Sequence, residues 1–61
     1  MQFNVNQIVK GKKAGTFVVL GHRTLGEEEG YQLKAVNPEN YEETGAGELW
    51  LPETALTNLE G

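Results

Sequence analysis

The amino-acid sequence predicts an all-β domain, a small barrel of five short strands with one helical turn before the last, and three observations carry that prediction. Apolar and polar residues alternate in Tyr31-Gln32-Leu33-Lys34-Ala35-Val36, the period of side chains that point to opposite faces of a strand. Glycines and prolines divide the chain at short intervals, which is the punctuation of turns between strands. Gly21 interrupts an otherwise β-like run, and an isolated glycine there marks the bulge or bend that a barrel of this size needs in order to close.

The elements follow in order. Gln7-Ile8-Val9-Lys10 is a first strand, ended by the glycine-bounded loop Gly11-Lys12-Lys13-Ala14-Gly15. Thr16-Phe17-Val18-Val19-Leu20, rich in β-branched and aromatic residues, continues past Gly21 into His22-Arg23-Thr24-Leu25 as a bent second strand. Gly26-Glu27-Glu28-Glu29-Gly30 reads as a hairpin tip, because adjacent carboxylates repel unless solvated and glycine permits positive φ. Tyr31, Leu33 and Ala35 of the third strand point inward, and Gln32 and Lys34 point out. Asn37-Pro38-Glu39 suits one helical turn, with Asn as cap and Pro in first position. A long loop runs through residues 40–47, Glu48-Leu49-Trp50-Leu51 forms the fourth strand, and Pro52, lacking a ladder N–H, stops it. Pro52-Glu53-Thr54-Ala55-Leu56 fits a tight helical turn, and Thr57-Asn58-Leu59-Glu60 a closing strand.

Residues 1–61 make one domain, and a chain this short buries only about 60% of the surface its unfolded form exposes. Disulfides cannot compensate, since there is no Cys, and His22 is the sole His in a chain without Asp, so no metal site and no cofactor is expected. With no Ser, Cys or Asp, neither a Ser-His-Asp nor a Cys-His arrangement can be built from one copy. Gly45-Ala46-Gly47 lacks the third glycine of a dinucleotide fingerprint, because Trp50 stands in its place. The expectation is a protein that is not an enzyme. Absence of cysteine suits the cytoplasm, and no apolar run approaches the length of a membrane span.

Charge is unevenly spread. Lys10, Lys12, Lys13 and Arg23 put +4 in residues 1–25, whereas nine glutamates against Lys34 leave −8 in residues 26–61. The four cations are the candidate anion or nucleic-acid patch, although the net charge of −4 argues against a grip on phosphates as the main activity.

Leu49-Trp50-Leu51-Pro52-Glu53-Thr54-Ala55-Leu56 resembles the signature that ends Src-homology-3 domains, an aromatic, an aliphatic and a Pro followed by a short turn. The resemblance implies an SH3-like barrel. Ala55 stands where that family has the Tyr that packs on proline-rich ligands, so such ligands are not expected. In length and spacing the chain is similar to the type II dihydrofolate reductases, through Val9-Lys10, Gly15, Glu29-Gly30-Tyr31, Pro52 and Ala55-Leu56. That likeness implies an oxidoreductase using NADPH as the rival reading, but Glu48-Leu49-Trp50-Leu51 replaces the Val-Gln-Ile-Tyr run that binds its substrates. Gly11-Lys12-Lys13-Ala14-Gly15-Thr16-Phe17-Val18-Val19 looks like the basic loop and apolar strand of KOW modules, which implies RNA binding as a further rival.

Two features point to protein–protein contact, including contact with a second copy. Phe17-Val18-Val19-Leu20 is apolar on both faces, whereas a barrel interior uses one. Trp50 shares the outward face with Glu48, opposite Leu49 and Leu51, and Trp is enriched at binding hot spots. Phe17, Val19, Tyr41 and Trp50 are therefore the candidate interface.

Overall fold

The computed structural model describes residues 3–59. Its strands are β1 (Ile8–Gly11), β2 (Thr16–Leu25), β3 (Glu28–Val36), β4 (Glu43–Pro52) and β5 (Leu56–Asn58), with a 3-10 turn at Glu53–Ala55 before the last. All pair antiparallel in one sheet of order β4-β3-β2-β1-β5. This is the expected all-β class, and the order with its single turn is consistent with an SH3-like barrel. No helix among the described residues is long and apolar enough to cross a membrane.

The bend in β2 lies where the sequence places it. Val19 faces Leu33 and Gly21 faces Gln32, so Leu20 is an extra residue between two ladder positions. Such a bulge kinks the strand and increases its twist. One consequence is that His22 comes opposite Tyr31, with their rings edge-on at 5.3 Å.

Val9, Val19, Tyr31 and Leu33 are fully buried, and Phe3, Phe17 and Leu56 complete the core. Phe3 comes from before the first strand. Its ring meets Tyr31 edge-on at 5.4 Å, and its backbone N–H donates to the Tyr31 hydroxyl at 3.0 Å. A buried phenol is thereby matched with a backbone donor that lies outside any ladder.

Several element boundaries differ from the sequence reading, β1 by one residue and three others by more. The β2–β3 hairpin is tighter than residues 26–30, since Leu25 pairs with Glu28 and only Gly26 and Glu27 form the loop. Gly26 has φ 63°, which suits the first position of a two-residue hairpin turn. β4 begins at Glu43 rather than Glu48, with Val36 facing Glu43 and Lys34 facing Glu48. Ala35 therefore stands opposite the stretch Thr44–Gly47, a wide bulge in which Gly45 and Gly47 take φ 83° and 88°. β5 is Leu56–Asn58, and Glu60 of the expected closing strand lies outside the described residues.

The turn expected at Asn37-Pro38-Glu39 is present. The Asn37 side chain accepts from the Glu39 N–H at 2.8 Å, and its carbonyl accepts from Tyr41. Tyr41 ends the turn at φ 62°, a left-handed conformation that costs a residue with a Cβ roughly 1–2 kcal/mol. Replacing it with glycine removes that strain but adds unfolded-state entropy, so Tyr41→Gly should be neutral to about 1 kcal/mol stabilising in urea unfolding. A loss above about 1 kcal/mol would mean that contacts of the half-exposed ring hold the loop.

Candidate functional site

One concavity among the described residues is built by the β1–β2 loop. Gly15, at φ 96°, turns this loop back, and the Gly11 N–H donates to the Gly15 carbonyl at 3.0 Å. Glycine is required at position 15 on a second count, because a Cβ would press into the Phe17 ring. The Lys12 N–H then donates to the Ala55 carbonyl at 2.8 Å, fastening the loop to the 3-10 turn.

Between loop, turn and β4 opens a groove of about 550 Å³. Phe17, Leu49, Leu51 and Ala55 line it with apolar surface, and Lys12 and Lys13 stand on the loop side. Leu49 lies opposite Leu33, and Leu51 opposite Tyr31, so both point to the core face as their period of two requires. β4 is an edge of the sheet, however, and the leucines are only half-buried. The groove is a place where the sheet leaves part of its apolar face uncovered.

The residues singled out in the sequence scatter around the fold. Val19 is fully buried and Phe17 is 8% exposed, so these two belong to the core, Phe17 also lining the groove. The register that puts them opposite Leu33 and Ala35 sends Val18 and Leu20 toward the outer side, where both are half-buried. Val19 is thus closed off within the core, and Phe17 is reachable only where it lines the groove.

Trp50 lies on the outer face, as its period predicts, facing Gln32 on β3. Its indole crosses over Gly30 and donates from Nε1 to the Arg23 carbonyl at 2.9 Å. The side chain is a clip across three strands, half-buried with its N–H satisfied. Tyr41 is exposed on the β3–β4 loop and does not line the groove.

Of the four cations, only Lys12 and Lys13 line the groove. Lys10 pairs with Thr16 at the start of β2, whereas Arg23 pairs with Gly30 near its far end. The rise along a strand separates these last two by roughly 20 Å. They do not make one patch. Beside Arg23, His22 Nε2 lies 3.4 Å from Glu29 Oε1 on an exposed surface.

Leu49, Leu51, Thr54 and Ala55 were not singled out by sequence as a site. The only signal was a Leu-x-Leu pair on a strand followed directly by Pro. That pattern gives the direction of the side chains but not the lack of a strand beside them. No family model matches the chain, and neither a curated protein nor a solved structure matches it.

Proposed function

We propose that the chain is a noncatalytic protein-interaction module of SH3-like architecture, which holds an apolar segment of a partner protein in the groove between the β1–β2 loop, β4 and the 3-10 turn. The single observation that carries this reading is the pair of half-buried leucines, Leu49 and Leu51, facing a concavity of about 550 Å³. A volume of that order lies within the range of ligand sites, and covering half-exposed core side chains is the main favourable term in such binding.

The chemistry of the lining supports binding over catalysis. The ionisable side chains that line the groove are Lys12 and Lys13. Among the described residues no carboxylate or imidazole accompanies them there to serve as a paired acid and base. Self-association draws support from a different surface, the half-buried Val18 and Leu20 of the outer face.

A random peptide library displayed on phage tests the reading. Thr54 is exposed and lines the groove, so Thr54→Arg fills the site without touching the core. Peptides selected on the wild type should lose at least tenfold in binding to this variant, whose fold is checked by Trp50 fluorescence. Absence of any selected peptide, or equal binding to both proteins, would overturn the proposal.

A further inference from the structure

The groove lies beside an unused strand edge. β4 pairs with β3 along one side, and among the described residues no strand pairs with the other. The Leu51 carbonyl is directed at β3, where it sits against Gly30. In an antiparallel strand the N–H and C=O of one residue share a side and neighbouring residues alternate. Glu48 and Trp50 therefore turn their backbone N–H and C=O groups to the free edge, next to the groove that Leu49 and Leu51 line. Such groups are a template for an added strand.

From this edge we infer that the occupant of the groove is an extended peptide that adds a strand to β4 over Glu48–Trp50, with apolar side chains at alternate positions and carboxylates toward Lys12 and Lys13. The inference rests on the groove reading above and names its ligand. Strand addition supplies affinity through main-chain hydrogen bonds and selectivity through pockets for alternate side chains. Charge decides the flanking residues. Lys12 and Lys13 are exposed and make no ion pair among the described residues, so a peptide carboxylate meets two cations across the groove from the edge.

A second copy of the chain fits this edge less well. Two-fold pairing of β4 edges would bring Glu48 of each copy into one short ladder between molecules of net charge −4. The bulge at Gly45 and Gly47 bends the first half of β4 out of a straight ladder, and Pro52 ends the second half. What remains suits a short peptide.

The test uses the acetylated and amidated heptapeptide Glu-Glu-Val-Thr-Val-Thr-Val and amide NMR of the full chain. Expected are shifts of the Glu48 and Trp50 amides with slowed hydrogen exchange, and shifts at Lys12 and Lys13. Replacing both peptide glutamates by lysine should weaken binding at least tenfold, and Lys13→Glu should reverse that preference. Methylating alternate peptide nitrogens should also cost at least tenfold. Equal binding of the methylated peptide would overturn strand addition while leaving the groove reading in place. Failure of the heptapeptide to shift groove resonances at millimolar concentration, while phage-selected peptides do shift them, would overturn the acidic, alternating ligand alone. A dimer in sedimentation whose interface maps to β4 would make a second copy the occupant and overturn the proposal.

Discussion

Replacing Gly30 with alanine is expected to lower stability by about 2–3 kcal/mol, a large share of the roughly 3–9 kcal/mol a domain of this length possesses. The cause is space, because Gly30 is not among the positive-φ glycines. It lies in β3, buried beneath Trp50, and a Cβ there would run into the Leu51 carbonyl and the indole ring. The carbonyl is backbone of the β3–β4 ladder and cannot move without breaking that pairing. The ring can swing away only by giving up its 2.9 Å bond to the Arg23 carbonyl, which is worth about 1 kcal/mol. A double-mutant cycle separates the two obstacles. With Trp50→Ala already in place, Gly30→Ala should cost less, by about 1 kcal/mol, and still not be neutral, because the Leu51 carbonyl remains. Urea unfolding of the four proteins measures both quantities. A Gly30→Ala variant within about 0.5 kcal/mol of wild type would mean that Trp50 does not lie across β3 as described.

What the sequence revealed and what it hid divide along a physical line. Alternation at residues 31–35 is readable because one face of β3 is buried and the other is not, and it placed Tyr31 and Leu33 correctly in the core. Gly21 is readable because a residue with no side chain weakens a strand unless the backbone bends there, and the bulge is present. The first half of β4 has no such signal. Glu43–Glu48 is exposed throughout, so backbone pairing and a 3.1 Å ion pair between Lys34 and Glu43 hold it with no apolar pattern to announce it. An exposed pair of that kind adds under about 1 kcal/mol. Phe3 is hidden for another reason: it stands between the polar residues Gln2 and Asn4, and its partner Tyr31 lies 28 positions away. The run Phe17-Val18-Val19-Leu20 is ambiguous in itself, since both faces are apolar. Only its register against Leu33 and Ala35 decides that Phe17 and Val19 go inside. The groove escaped for the same reason as the free edge beside it. Period two aims Leu49 and Leu51 inward, but what they meet depends on how closely a glycine-hinged loop approaches from the other end of the chain.

Tyr31→Ala should be the most damaging single change, removing about 3–5 kcal/mol and leaving a chain of this size largely unfolded at 25 °C. Tyr31 is 1% exposed, and its ring is the junction between Phe3 and His22, at 5.4 and 5.3 Å. Truncation would empty the centre of the core and would release Phe3, whose N–H is held by the phenol at 3.0 Å. Few other residues are placed to close over the cavity, because the remaining fully buried side chains, Val9, Val19 and Leu33, belong to strands fixed by their own ladders. Tyr31→Phe isolates the hydroxyl. It keeps the ring and leaves the buried Phe3 N–H without its acceptor, for an expected loss of about 1–2 kcal/mol with a cooperative transition retained. Thermal melts followed by near-ultraviolet circular dichroism distinguish the two variants: Tyr31→Phe melts cooperatively at a lower temperature, and Tyr31→Ala shows no transition. The ordering matters because it ties the N-terminal segment to the barrel through one side chain. If Tyr31→Ala unfolds cooperatively with a loss below about 2 kcal/mol, the core is centred elsewhere, and Phe3 is held by something other than Tyr31.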